Sequence, residues 1–391
     1  MTRGILVLNA GSSSIKFALY PAAPASDEDA AAYHGEIEGI GHALHLLVRD
    51  ARRKVLADRA VDGPATHHRG LSALLEWLSA HATSLDIAAV GHRVVHGGTT
   101  YAQPVRITPA VLRDLELLAP LAPLHQPHNL EAIRALAELH PGIVQVACFD
   151  TAFHASQPAV AATFALPRAL SEKGVRRYGF HGLSYEYVAS ILPAHLGPGA
   201  DGNIIVAHLG NGASMCAMRN RRSVATTMGF SVLDGLVMGR RCGALDPGVV
   251  LYLLDCERMS SAEIAHLLYE ESGLLGVSGI SDDMRDLLET DDPRAREAVE
   301  LFVYRILREL GSLAAALGGL DALVFTGGIG EHSPEIRARV CGQAAWLGLA
   351  LDAAANAAGG PRISRGDSRV SIWTFPTDGE LVVAAYARAL L

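Results

Sequence analysis

Three short runs of apolar residues stand out along the chain, and each runs into a turn of small residues. Ile5–Leu8 leads into Asn9-Ala10-Gly11-Ser12-Ser13-Ser14. Ile204–Ala207 leads into His208-Leu209-Gly210-Asn211-Gly212, and Ala322–Phe325 into Thr326-Gly327-Gly328-Ile329-Gly330. Apolar runs of this length suit buried strands, and the glycine and serine clusters that end them are loops by composition. Elsewhere the hydrophobic period lengthens to that of helices. Thr108-Pro109 supplies an N-cap and a first helical residue for a helix through about Leu118. Asn129–Leu139 has helical spacing and stops before Pro141-Gly142, and Ile143–Phe149 then reads as a buried strand that delivers Asp150. Arg294–Leu317 is a long helical pattern closed by Gly318-Gly319. Strands alternating with helices predict an α/β fold. The first two strand–turn segments lie half a chain length apart, the spacing that a duplicated architecture would produce. Pro21–Ala32 is the least ordered stretch by composition and predicts a hairpin loop or an excursion of the first domain.

Composition adds bounds to this picture. A chain of 391 residues, half of them hydrophobic, predicts two domains, because single cores rarely grow past roughly 250–300 residues. The net charge of -8 argues against a nucleic-acid partner. Lysine is confined to Lys16, Lys54 and Lys173, so arginine must supply most of the local positive charge for any anionic ligand. Arginine's planar fork suits phosphate and carboxylate. The five cysteines are widely spaced and form no CxxC pair, which argues against a disulfide framework or a zinc site and fits a reducing cytosol. The N-terminal apolar run stops at Asn9, short of a signal peptide, and no apolar run approaches the ~18 residues of a membrane span. The expectation is a soluble cytoplasmic protein with no nucleic-acid or membrane partner.

The small-residue turns carry the first candidate chemistry. Backbone N–H groups can reach phosphate oxygens only where side chains leave room. Ser12 and Ser14 add hydroxyl donors and Lys16 a charge. One such turn is most often just a tight turn; three, each coupled to a strand, point to phosphate. The GxxxxGK[ST] pattern is absent, which excludes a P-loop enzyme. Cations stand beside glycines in Gly91-His92-Arg93-Val94-Val95-His96-Gly97-Gly98, in Arg176-Arg177-Tyr178-Gly179-Phe180-His181-Gly182 and in Met238-Gly239-Arg240-Arg241-Cys242-Gly243. Phosphoryl transfer needs such groups, because its transition state spreads negative charge over the transferred oxygens. The bland reading of each arginine is a partner for a core carboxylate. His92 with His96, and His125 with His128, lack a third ligand nearby in the sequence, so no metal is assigned to them.

These segments together resemble the acetate kinase family over essentially the whole chain. The resemblance rests on VLNAGSSSIKFAL (7–19), GHRVVHGG (91–98), APLHQPHNL (122–130), CFDTAFH (148–154), RRYGFHG (176–182), HLGNGAS (208–214), MGRRCG (238–243), SGISDDMRDL (278–287), FTGGIGE (325–331) and PTDGEL (376–381), in that order. It implies a duplicated ribonuclease H-like fold of the actin/hexokinase type, with an active-site cleft between two domains. The expected domains are 1–150, completed by a C-terminal helix at 380–391, and a nucleotide-binding domain at 151–379. The implied reaction is reversible transfer of the ATP γ-phosphoryl group to acetate, giving acetyl phosphate and ADP. Magnesium or manganese would be held by Asn9 and Glu380, with Lys16 on ATP. Arg93 would bind the acyl carboxylate, and Asp150, His181 and Arg241 would be catalytic. His208, Leu209, Gly210, Asn211 and Gly212 would cradle the phosphates. Asp283, Met284, Arg285, Gly328, Ile329, Gly330, Glu331 and His332 would hold the nucleotide. A homodimer is implied in the same way.

The chain also departs from the family pattern. The usual TNEEL is Thr377-Asp378-Gly379-Glu380-Leu381, GIGEN is Gly328-Ile329-Gly330-Glu331-His332, and MGTRSGD is MG-Arg240-Arg241-Cys242-Gly243-Ala244. The last leaves two candidate arginines, and the glycine register selects Arg241. The acyl pocket implied by the resemblance comprises Val95, Leu124, Phe180 and Val232, the last standing where the family has proline. Val95 matches the acetate-selective pattern, whereas Val232 opens the pocket to propionate as a second substrate, since one methylene is worth only about 1–3 kcal/mol.

Overall fold

The computed structural model describes residues 2–23, 30–82 and 85–391. The chain divides into two compact units, residues 1–152 with 378–391 and residues 153–377. The first boundary therefore falls just past Asp150, and the C-terminal return begins at Asp378 rather than at Glu380.

In the first unit, β1 (Thr2–Ala10), β2 (Ser14–Pro21), β3 (Tyr33–Glu38), β4 (His45–Asp50) and β5 (Val55–Ala60) form an antiparallel meander. Then β6 (Leu85–Val94) and β8 (Val144–Phe149) continue the sheet on the other side of β1, parallel to it. A two-residue edge strand, β7 (Val105–Arg106), completes the order β5-β4-β3-β2-β1-β6-β8-β7. The stretch 21–32 connects β2 to β3 as expected of a hairpin connection, although residues 24–29 lie outside the described residues. Strand β1 is buried on both sides at Ile5, Leu6, Val7 and Leu8, as its unbroken apolar run requires. The helices His67–His81 and Gln126–Leu139 cover one face through Leu71, Leu74, Trp77, Ala132 and Leu136. The helix Pro109–Leu117 begins where the sequence places it, with the Thr108 hydroxyl accepting from Val111 N–H. The helix at 126 starts three residues before the expected Asn129, because Pro127 fits its first turn. The C-terminal helix Gly379–Ala389 lies against β6, β1 and β8. Gly91 permits that approach: a Cβ there would sit 2.5 Å from the Val383 side chain.

In the second unit, β9 (Ile204–Leu209), β10 (Ala213–Arg219) and β11 (Arg222–Thr226) form the antiparallel meander. Strands β12 (Ala322–Thr326) and β13 (Ser371–Thr374) extend it parallel to β9, giving the order β11-β10-β9-β12-β13. This repeats β3-β2-β1-β6-β8 of the first unit, strand for strand, so the duplication predicted from the spacing is present in both sheets. The long helix Pro293–Leu317 runs between an Asp292 N-cap and a left-handed Gly318. All three expected turns are partly regular structure: Asn9 and Ala10 belong to β1 and Ser14 to β2. His208 and Leu209 belong to β9, and Gly327–His332 is a short helix, because the parallel crossover after β12 needs a helix where a hairpin suffices after β1 and β9. Among the described residues, no helix is long and apolar enough to cross a membrane.

Candidate active site

In the first unit, parallel pairing gathers candidate residues at the C-terminal ends of neighbouring strands, the usual ligand position in such sheets. Leu8 pairs with His92 and Val94 with Phe149, so Asn9, Arg93 and Asp150 emerge side by side. Arg93 grips Asp150 with both arms of its fork, Nε to Oδ1 at 3.0 Å and Nη2 to Oδ2 at 2.5 Å. Its Nη1 donates to Asn9 Oδ1 at 3.1 Å. Burial opposes the charge on the Arg93 guanidinium, but the Asp150 carboxylate outweighs burial and raises the group above its ordinary value. Lys16 stands opposite Asn9 in the β1–β2 hairpin.

Glu380 lies in the first turn of the C-terminal helix, which Asp378 caps by accepting from Leu381 N–H at 2.8 Å. Burial, reinforced by the neighbouring Asp378 charge, pushes the Glu380 carboxyl up to about 7, against the pull of Lys16 and Arg93. Asn9 and Glu380 offer only oxygen donors, the kind that magnesium prefers. A buried acid held near neutrality would also return to its charged form beside a divalent cation, so the residues present fit the ion that the family pattern implies.

Val95 is buried, and its N–H donates to Asn129 Oδ1 at 3.0 Å. Asn129 Nδ2 in turn donates to Ala10 O at 2.6 Å, tying the end of β6 to the end of β1. Leu124 is 43% exposed. His92 and His96 do not form a metal pair: His92 bonds to Gln145 Oε1 at 2.7 Å, and His96 Nδ1 accepts from Gly98 N–H at 2.9 Å. Burial lowers both imidazoles to about 4, so both are neutral core histidines at pH 7.

In the second unit, the β9–β10 turn Gly210–Gly212 is the centre of a different arrangement. His208, at the end of β9, bonds through Nδ1 to Ser184 Oγ at 2.9 Å and stacks on His181 with ring centroids 4.4 Å apart. His181 has φ 60°, a left-handed backbone that a side chain adopts only when its surroundings enforce it. Its Nδ1 bonds to Ser214 Oγ at 2.9 Å, and Ser214 also meets Tyr185 Oη at 2.5 Å. Arg241 Nη1 donates to Val232 O at 3.2 Å. A Cβ added at Gly212 would lie 3.3 Å from His181 Nε2 and 3.5 Å from Arg241 Nη2. Arg240 instead pairs with Asp282, Nε to Oδ2 at 2.9 Å, and that bond holds the Asp282 carboxyl below the usual carboxylate range. Arg240 is thus paired with Asp282, whereas Arg241 reaches the glycine turn. Phe180 is buried, and its carbonyl accepts from His154 Nε2 at 2.9 Å.

Beside this turn lies a pocket of about 840 Å³, within the usual range of roughly 300–1,000 Å³ for small-molecule sites. Of the expected nucleotide residues, Gly210, Asn211, Asp283, Met284, Arg285, Gly328, Ile329 and His332 line it. His208, Leu209, Gly212, Gly330 and Glu331 do not. Glu331 turns back to its own helix, its Oε1 accepting from Gly327 N–H at 3.1 Å and Thr377 N–H at 3.2 Å. Asp282, Leu288, Glu289 and Ser333–Glu335 also line the pocket, and sequence reading passed over them. Asp282 could have been found, since it stands beside Asp283 and bonds Asn211 Nδ2 at 3.1 Å. Ser184 and Ser214 were given no role from the sequence: theirs exists only once the histidines are placed.

The duplicated strand order and the glycine turn beside the pocket define an α/β protein of two repeated units, the second of which presents a small-molecule site. The profile of the acetokinase family matches residues 4–385. An acetate kinase of Rhodopseudomonas palustris is 60% identical, the alignment covering 99% of this chain and 98% of that protein. Among solved structures, an acetate kinase of Porphyromonas gingivalis superposes with a TM-score of 0.88 at 37% identity, over 99% of each chain. A propionate kinase of Francisella tularensis gives 0.92 at 35% identity, over the full length of both chains. The chain belongs to the acetokinase family and is an ATP-dependent phosphotransferase.

Proposed function

We propose that this chain transfers the γ-phosphoryl group of ATP to acetate, reversibly, by direct in-line attack of the acetate carboxylate. The observation that carries the reading is the position of Gly212: His181 and Arg241 converge on it, while Gly210 and Asn211 of the same turn line the pocket. A phosphate at that turn meets backbone N–H groups, an imidazole and a guanidinium together, a donor set aimed at phosphoryl oxygens.

Acetate, with a pKa near ~4–5, is already ionised at pH 7, so the nucleophile needs no general base. Asp150 supports this chemistry, because both its oxygens are engaged by Arg93. We assign it the orientation of that guanidinium, which receives the acyl carboxylate, rather than a proton shuttle. His181 and Arg241 stabilise the transition state, and the pocket residues hold the nucleotide. Asn9 and Glu380 would hold magnesium, which when bound neutralises phosphate charge and orients the nucleotide. Exposed apolar side chains on the helix Pro247–Asp255, Leu251 at 59% and Tyr252 at 53%, support a homodimer. Cytoplasmic residence is supported by the free cysteines at all five positions.

Acetyl phosphate trapped as its hydroxamate, with acetate, propionate and butyrate compared in parallel, tests the reading. Acetate should give the highest kcat/KM, with propionate behind it by about 10–200-fold, the value of one methylene. A propionate kcat/KM above that of acetate would make the chain a propionate kinase, as Val232 in place of proline permits. ATP binding with no hydroxamate from any acid would leave a nucleotide-dependent switch protein.

A further inference from the structure

We propose that His67, His128 and Glu131 of the first unit form a binding site for a divalent transition-metal ion of the zinc class, separate from the magnesium residues. His128 and Glu131 stand three residues apart on the helix Gln126–Leu139, and His67 opens the helix His67–His81 beside it. One potential ligand atom from each of the three lies within 4.8 Å of the other two.

The hydrogen bonding of His67 fixes which nitrogen is available. Its Nε2 lies 2.8 Å from Gly11 O, and a carbonyl can only accept, so that nitrogen carries the proton. Its other nitrogen, Nδ1, lies 3.1 Å from Glu131 Oε2. Either a proton or a metal ion can join that nitrogen to the carboxylate, and His67 is almost fully buried. His128 Nδ1 lies 3.9 Å from the same Oε2, too far for a hydrogen bond, and is buried with no hydrogen-bond partner. Burial keeps the His128 imidazole below its ordinary value, which leaves it able to ligate at pH 7. Zinc bonds of about 2.0–2.1 Å in tetrahedral geometry place ligand atoms roughly 3.3 Å apart, between the two distances seen here. Two imidazoles and a carboxylate are a zinc donor set, and His67 Nε2–H on a backbone carbonyl is the outer-shell bond that ligating histidines make. The ion would join the two helices beneath the turn at Gly11.

The test uses the full chain, chelator-treated and free of nucleotide, titrated calorimetrically with Zn2+ and optically with Co2+. The expected result is one equivalent bound, a tetrahedral Co2+ spectrum and a raised unfolding temperature with Zn2+. His128→Ala and Glu131→Gln, both at accessible helix positions, should each weaken Zn2+ binding by ~100-fold or more and abolish the Co2+ spectrum. His67→Ala is avoided, because it also removes the bond to Gly11. The proposal is overturned if the unsubstituted chain binds no Zn2+ saturably. It is overturned equally if both variants bind as the unsubstituted chain does, or if magnesium displaces the zinc.

Discussion

At the end of β1 the chain turns through Gly11–Ser13 beside a buried ion pair, Arg93 with Asp150. At the end of β9 it turns through Gly210–Gly212 beside two stacked imidazoles and an open pocket. Both turns close the same hairpin of the same strand order. What differs is what the neighbouring parallel strand delivers. In the first unit, β6 brings an arginine held by the carboxylate of Asp150, which follows the neighbouring β8. In the second, β12 runs into glycines and a short helix, leaving space and backbone N–H groups for phosphates. One topology thus carries two different sets of side chains at its strand ends.

Four substitutions break or sharpen that contrast. Arg241→Ala removes the guanidinium at the second turn and should lower kcat by at least ~100-fold, the order found when one preorganised donor is lost. Steady-state kinetics with acetate would show it, and a loss under about threefold would remove Arg241 from the mechanism. Asp150→Asn leaves Arg93 without its counter-charge. A charge-assisted bond is worth about 1.5–3 kcal/mol, so kcat/KM for acetate should fall by about 30-fold, while affinity for ATP stays unchanged. Full turnover with unchanged acetate affinity would end the orienting role.

The third substitution concerns His92, next to Arg93 but neutral. Its folded-state value of about 4 lies below the ordinary 6.5, so the unfolded chain takes up the proton first as pH falls. The stability this histidine contributes is therefore complete above about 6.5 and is lost toward 4. Between pH 7 and pH 5 the loss is about 2 kcal/mol. His92→Gln should shrink the pH 7-to-5 drop in denaturant stability by that amount, and an unchanged drop would contradict it. The smallest effect is expected for Gly212→Ala. Its Cβ contact of 3.3 Å with His181 asks the ring to move by only tenths of an ångström, so kcat should fall about fivefold.

Local rules made much of the fold legible. The unbroken apolar runs found β1, β9 and β12, and Thr108-Pro109 placed the start of its helix to the residue. The meander strands β4 and β5 went unread because their residues are mixed: His45–Asp50 and Val55–Ala60 lack a clean alternation, and β5 is largely exposed. In the site, the motif-borne residues Asn9, Arg93 and Asp150 could be named before the fold, but the register that joins them could not. The same limit hid the His67 cluster. His128 had no ligand partner in sequence until the fold brought a helix from 67 alongside, and Glu131, three residues on, was the one local signal available. The glycine register singled out Arg241 in the sequence, but the pairing of Arg240 with Asp282 could not be seen there, because the two lie 42 residues apart.

The C-terminal helix has a consequence for biosynthesis. It closes the unit that begins the chain, filling the space above Gly91 with Val383. On the ribosome, the first unit emerges early yet lacks its last wall until residues 378–391 are made. The intervening residues 153–377 require roughly 10–45 seconds at about 5–20 residues per second. Throughout that interval β1, β6 and β8 stand without the helix that covers them. The unit translated first is the unit finished last, and a nascent chain that stalls before residues 378–391 leaves the first unit, rather than the second, incomplete.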